Sequence, residues 1–155
     1  MPDAKSSHMI DITGKAPSLR TAVAEAHVRL SAEARQALAA GTLPKGRAEE
    51  VARVAGVMAA KQCSALIPFC HPIVINYAEV EIVPTEQGVR VRATTRAHAS
   101  TGVEMEALTA VTVAALTLYD MCKALDPGAT IEQVRVLSKR GGKSGDWGEE
   151  PGGTA

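Results

Sequence analysis

Residues 103–125, VEMEALTAVTVAALTLYDMCKAL, decide the fold of this chain. The run is predominantly apolar, contains neither proline nor glycine, and is followed by the turn sequence Asp126-Pro127-Gly128. An apolar run of this length without a breaker predicts a long helix, little of which is solvated. The rest of the fold must therefore supply a surface that covers this helix.

The segments on either side of this run predict strands. Residues 73–83 and 89–97 are β-like runs joined by residues 84–88, a five-residue connection that contains a glycine, as expected for a hairpin. After the turn, the apolar residues between 131 and 137 predict a last strand. Three strands thus surround the long helix in the sequence.

The first third of the chain predicts one more strand and two helices. Residues 21–30 alternate between apolar and polar positions, which favours a half-buried strand, although the alanines would also suit a helix. Ser31 and Gly41 are a typical N-cap and terminating residue for a short helix, and residues 48–66 predict a longer one that ends before Pro68. The complete order predicts an α+β layered domain, with helices on one face of an antiparallel sheet.

Composition excludes several classes of protein. The chain has 155 residues, of which 46% are hydrophobic and 22% charged, as in a single globular domain. Basic and acidic residues both number 17 and aromatic residues make up only 3%, which argues against a polybasic or base-stacking nucleic-acid surface. Three cysteines form no disulfide framework, and no apolar run reaches about 20 residues. We therefore expect a cytoplasmic protein that binds neither nucleic acid nor membranes.

The predicted long helix carries two groups of ionisable residues. Asp120 and Lys123 share one face, and the apolar residues before them predict a buried acid tuned for acid–base chemistry; a surface ion pair is the alternative. Glu104 and Glu106 point about 200° apart around the helix, so they cannot serve one small site as a pair. The alternative is that they only stabilise the helix dipole, which favours carboxylates in the first turn. Glu106 and Asp120 are about 21 Å apart along the helix, so one small substrate cannot contact both within a single chain. Either the substrate is long, or residues from two chains converge on it.

Residues 69–72, Phe-Cys-His-Pro, place a thiol and an imidazole on a loop that prolines constrain. A buried cysteine beside a surface histidine is the alternative interpretation. Cys63, Cys70, His71 and Cys122 could bind a metal in principle, but paired C-x-x-C spacing is missing, and we expect no metal site.

Residues 139–145, KRGGKSG, form a cationic, glycine-rich segment. Position 137 is leucine where a Walker A motif requires glycine, so the segment is not a nucleotide-binding P-loop of that type. Its backbone amides and cations could still hold an oligophosphate, and a disordered basic tail is the alternative. A catalytically silent nucleotide-binding module is accordingly the rival to an enzyme.

Several segments match one known family in the same order along the chain. They are TGVEMEALTA (101–110), YDMCKA (119–124), GGKSGD (141–146), LIPFCHP (66–72), AAK (59–61), KG (45–46) and MIDI (9–12). This set closely resembles the cyclic pyranopterin monophosphate synthase family, molybdenum cofactor biosynthesis protein C. The resemblance covers residues 9–147, which we expect to form a single catalytic domain between a flexible arm (1–8) and a flexible tail (148–155).

The resemblance implies a ferredoxin-like α+β enzyme that needs no cofactor. It implies a homohexamer of three dimers with active sites at the dimer interface. The family converts a cyclised GTP derivative, 3′,8-cyclo-7,8-dihydro-GTP, into cyclic pyranopterin monophosphate and releases pyrophosphate. The implied reaction class is therefore that of a lyase.

The resemblance also assigns roles to individual residues. The implied catalytic residues are Asp120, Lys123 and Lys45. The implied substrate contacts and anion-binding positions are Phe69, Cys70, His71, Glu104, Met105, Glu106, Lys61, Lys139 and Lys143. The chain departs from the family pattern at Arg47, where an acidic residue is usual, at Phe69, where leucine is usual, and at Ser100, where a cation is common.

Overall fold

A computed structural model describes residues 6–149, so the expectations for residues 1–5 and 150–155 lie outside the described part of the chain. Its strands are β1 (Ser18–Arg29), β2 (Tyr77–Thr85), β3 (Gly88–Ala99), β4 (Thr130–Arg140) and β5 (Trp147–Gly148). Its helices are α1 (Ala32–Ala40), α2 (Ala48–Lys61), α3 (Cys63–Leu66) and α4 (Glu104–Cys122).

The five strands form one antiparallel sheet in the order β2-β3-β1-β4-β5. The register places Thr21 of β1 between Arg96 of β3 and Arg140 of β4. With α1 to α3 between the first two strands and α4 before β4, the chain follows the β-α-β-β-α-β pattern of ferredoxin-like domains. The predicted α+β layered fold is confirmed.

Small side chains bring the helices close to the sheet and to each other. On β1 the alternating Ala22, Ala24 and Ala26 are buried in the same core cluster as residues of α4. At Gly56 of α2, an added Cβ would lie only 3.0 Å from the backbone oxygen of Ala110 in α4. The alanine-rich composition is therefore what permits the close packing of this core.

Three predicted boundaries are wrong. The single helix expected over residues 48–66 is divided, because Gln62 leaves the helical region with a ψ of 8°, so α2 ends at Lys61 and α3 begins at Cys63. The expected five-residue hairpin connection has only two residues, 86 and 87, because Pro84 and Thr85 still pair with β3. Proline is tolerated there because β2 lies at the edge of the sheet. Strand β2, expected to begin at Ile73, begins at Tyr77.

Within the described residues, α4 has the length and composition of a helix that could cross a membrane. More than half of that stretch is buried inside the protein, against β1, β3, β4 and α2. It also carries Glu104, Glu106 and Asp120. The core helix of a globular domain has the same properties, so the packing explains the apolar character of α4.

Candidate active site

A carboxylate held between two ammonium groups lies at the C-terminal end of α4. Asp120 accepts a hydrogen bond from Lys45 Nζ at 2.7 Å and pairs through its other oxygen with Lys123 Nζ at 2.8 Å. Lys123 directly follows the last residue of α4, whereas Lys45 lies in the loop between α1 and α2. That loop is anchored by the buried Leu43 and turned by Gly46, whose φ of +103° favours glycine.

The electrostatics of this group differ from those expected. Hydrogen bonds from Lys123 and Lys45 lower the pKa of Asp120 to about 2, and Asp120 in turn raises the pKa of Lys123. The Asp120 side chain is 47% exposed, so the predicted buried acid is wrong for the single chain, and the alternative, a surface ion pair, describes the group. The last turn of α4 reaches the surface, where Lys123 is also exposed. At neutral pH the group therefore carries one carboxylate and two ammonium charges, a net positive charge suited to an anion.

The Asp120 carboxyl is expected to titrate with a midpoint near pH 2, and Lys123→Met is expected to raise that midpoint toward the ordinary value of 3.8. Because the folded pKa is the lower one, the paired carboxylate stabilises the fold above about pH 3.8 and loses this contribution as the pH falls toward 2. Carbon NMR of the labelled carboxyl groups in both proteins measures the two midpoints. Equal midpoints would show that the lysine does not act on Asp120.

A second group lies near the N-terminal end of α4 and contains the predicted contacts Cys70 and Glu106. Cys70 Sγ donates to Glu106 Oε1 at 3.7 Å, and Cys63 Sγ lies 3.7 Å from Cys70 Sγ and 3.3 Å from Thr109 Oγ1. Burial raises the pKa of Glu106, and burial together with the Glu106 charge raises the pKa of Cys70 to about 12. This group therefore holds protons more tightly than isolated side chains would.

The loop before β2 places the other predicted substrate contacts at the same end of α4. His71 Nε2 donates to the backbone oxygen of Ile10 at 2.6 Å, which ties the N-terminal segment to the loop. Phe69 is 52% exposed and Met105 is 37% exposed, so both offer apolar surface to a ligand. Ser100 donates to the backbone oxygen of Lys15, a second tie of the N-terminal segment that the sequence did not indicate.

The glycine-rich segment packs against α4 and β1. Lys139 Nζ lies 3.5 Å from Glu104 Oε1 and 3.1 Å from Ser144 Oγ, so two of the predicted contacts, Lys139 and Glu104, neutralise each other. Gly142 has a φ of +88° and lies against the guanidinium of Arg20, where any Cβ would collide. Arg20 is a cation of this turn that sequence reasoning missed, since its position on β1 gave no signal. Lys143, the residue after Gly142, is exposed.

Lys61 is the last residue of α2. It lines a groove of about 740 Å³ between α2 and the edge strand β2, together with Val54, Met58 and the acidic residues Glu79 and Glu81. The anion-binding role of Lys61 stays a prediction.

The group around Asp120 and the group around Glu106 lie at opposite ends of α4 and do not meet within one chain. Glu106 and Asp120 lie on one continuous helix, and fourteen residues at 1.5 Å each separate them by about 21 Å. Of the four residues considered as metal ligands, Cys63 and Cys70 lie together, whereas Cys122 and His71 do not join them. Cys122 is buried near the far end of α4, and the His71 ring is bonded to Ile10.

A ferredoxin-like fold that holds an ionised acid between two lysines at one end of α4, and a thiol hydrogen-bonded to a buried carboxyl at the other end, has the proton donors, acceptors and cations of an α+β enzyme. Comparison with known proteins narrows this class. A family model described as MoaC family matches residues 9–142, and the chain belongs to the MoaC family.

Curated relatives support this membership over almost the full chain. A protein of Corynebacterium efficiens named cyclic pyranopterin monophosphate synthase is 54% identical over 142 residues, covering 92% of each chain. A Mycobacterium bovis protein named cyclic pyranopterin monophosphate synthase 2 is 53% identical, covering 92% of this chain and 85% of its own. A Nostoc sp. protein, also named cyclic pyranopterin monophosphate synthase, is 52% identical over 143 residues, covering 91% of this chain and 85% of its own.

Proposed function

We propose that this chain is a cyclic pyranopterin monophosphate synthase, a lyase of molybdenum cofactor biosynthesis. It converts (8S)-3′,8-cyclo-7,8-dihydroguanosine 5′-triphosphate into cyclic pyranopterin monophosphate and pyrophosphate. Besides the family, the observation that carries this proposal is the Lys45–Asp120–Lys123 group, which combines a proton acceptor with two cations.

The phosphate step needs both of these functions. A substrate hydroxyl attacks the innermost phosphorus, the bond from that phosphorus to the bridging oxygen breaks, and pyrophosphate leaves with the bonding electrons. Lys45 and Lys123 stabilise the negative charge that grows on the phosphate oxygens, and as the phosphates draw these lysines away from Asp120, its low pKa rises and the carboxylate accepts the hydroxyl proton. Lys139, Lys143 and the amides of the glycine-rich turn add anion-binding capacity from the opposite end of α4, where Lys139 pairs with Glu104, so a partner chain must bring them to this group.

The other end of α4 fits the pterin part of the reaction. Opening and closing rings moves protons at carbon, oxygen and nitrogen, which requires several donors and acceptors. Glu106, Cys70 and His71 are such groups, and Phe69 and Met105 supply apolar surface for a planar ring system. Lys61 and Glu104 complete the set of residues that we assign to substrate binding.

We place the complete active site between two chains of a homohexamer built from three dimers. The separation of about 21 Å between Glu106 and Asp120 supports this, because a partner chain can bring the missing half to each end of α4. Exposed Val54 and Met58 beside the edge strand β2 offer apolar surface for assembly. Light scattering should give about six times the chain mass of 16.2 kDa; a monomer would contradict the shared site.

The cytoplasm is the compartment we propose. Cys63, Cys70 and Cys122 are free thiols, and two of them lie only 3.7 Å apart without a bond. Such a pair is best preserved in a reducing environment.

The deciding experiment incubates purified protein with the cyclised GTP derivative. We expect one pyrophosphate released for each substrate consumed, and a product whose mass is that of the cyclic monophosphate. A silent nucleotide-binding module would bind the ligand saturably and return it with its mass unchanged, which would refute the proposed lyase.

A further inference from the structure

Three potential metal ligands meet at the N-terminal end of α4. Cys63 Sγ, Cys70 Sγ and a carboxylate oxygen of Glu106 all lie within 4.8 Å of one another. The two sulfurs are 3.7 Å apart, and Cys70 Sγ is 3.7 Å from Glu106 Oε1. In a tetrahedral zinc site with ordinary bond lengths, neighbouring ligand atoms are about 3.4 to 3.8 Å apart. The present spacing therefore matches two edges of such a tetrahedron.

Glu106 gives a second, independent indication. Its side chain is 2% exposed, and Oε2 is buried without a hydrogen-bond partner among the described residues. A buried carboxyl oxygen that lacks a partner destabilises the fold, because it has lost its hydrogen bonds to water and gained none. A cation bound at the cluster would pair with this carboxylate and remove that destabilisation.

From these two observations we propose that Cys63, Cys70 and Glu106 bind one thiophilic divalent cation, of the class of Zn²⁺. Two sulfur ligands select zinc, cobalt or cadmium over magnesium and calcium, which prefer oxygen. Cys70 is only partly buried, so a water molecule can complete four-coordination from the solvent side.

Binding releases protons. Each thiol loses its S–H proton to solvent as the metal–sulfur bond forms, and no electrons are transferred. Because metal binding displaces a proton from each thiol, the metal affinity rises with pH. The groups that face Cys70 are Cys63 and Glu106, and both are ligands in this arrangement.

The site acts as an inhibitory one, a consequence that rests on the proposed function. Cys70 and Glu106 are also the groups that we assign to the substrate, so cation and substrate compete for them. Cys63 has no role in the proposed reaction, and removing it should separate metal binding from turnover.

The test uses the full chain, freed of metal by a chelator and kept in a phosphine reductant. Titration with Co²⁺ should produce a thiolate-to-cobalt absorption band that saturates at one equivalent per chain and disappears when Zn²⁺ is added. Cys63→Ala should lose most of the band and weaken binding by at least about 100-fold. Cys122→Ala, which removes a buried cysteine distant from the cluster, should bind like the unaltered chain.

Two results would overturn the site: no charge-transfer band in the unaltered chain, or the same band in Cys63→Ala. Cys63→Ser, close to cysteine in size, tests the same ligand should the alanine variant not fold. In the activity assay, one equivalent of Zn²⁺ should inhibit the unaltered chain but not Cys63→Ala. Absence of turnover in metal-free protein would refute the proposed function but not the metal site, because the absorption band does not depend on turnover.

Discussion

Asp120→Asn should lower kcat for pyrophosphate release by about 10³-fold. The substitution keeps the shape of the side chain but removes the charge that accepts a proton and holds two ammonium groups. Lys45 and Lys123 lose the partner that now lies 2.7 and 2.8 Å from them, so both the base and the position of the cations are lost. Steady-state release of pyrophosphate from the cyclised GTP derivative measures the effect.

Glu33→Gln is the matched control for this prediction. Glu33 is an exposed carboxylate in the first turn of α1 and belongs to neither group of site residues. It should keep at least about half of the activity, as expected for a surface substitution. Turnover of Asp120→Asn within tenfold of the unaltered chain would remove Asp120 from the catalytic step, and Lys123→Ala would then be the next variant to measure.

Leu118→Ala should destabilise the protein by about 3 kcal/mol. Leu118 is completely buried in α4, in the core cluster between the helix and the sheet, so alanine there removes buried apolar contacts and leaves a cavity. Urea unfolding followed by circular dichroism, at one fixed protein concentration, measures the change in the free energy of unfolding.

Leu116→Ala provides the comparison on the same helix. Leu116 is 56% exposed, so its replacement removes little buried surface and alanine is the better helix former. Its unfolding free energy should stay within about 0.5 kcal/mol of the unaltered chain. An equal loss in both variants would mean that burial in the core does not determine the effect.

The fold was predictable because hydrophobic patterns decide it. The run 103–125 predicted α4, and the alternation over residues 21–30 predicted β1, the strand between β3 and β4. The break at Gln62 was not predictable, because it depends on one backbone angle at a residue that is neither proline nor glycine. The hairpin was misjudged because Pro84 normally ends a strand, and only its position at the sheet edge allows the pairing.

The pairing of Lys45 with Asp120 could not be predicted from spacing, and the electrostatics of this group differ from those expected. Lys45 and Asp120 are 75 residues apart, and no spacing rule connects them, so only the family resemblance joined them. The apolar residues before Asp120 suggested burial, whereas the helix reaches the surface in its last turn. The approach of Cys63 to Cys70 depends on the short helix α3, which the expected continuous helix concealed.

The hydrogen bond between His71 and Ile10 determines where the imidazole ring carries its proton. A backbone carbonyl oxygen only accepts, so Nε2 is the protonated nitrogen and, in the neutral ring, only Nδ1 can take up a proton. The acceptor is 61 residues away in sequence. The N-terminal segment thereby selects one tautomer of His71, and a chain shortened beyond residue 10 would leave both tautomers open.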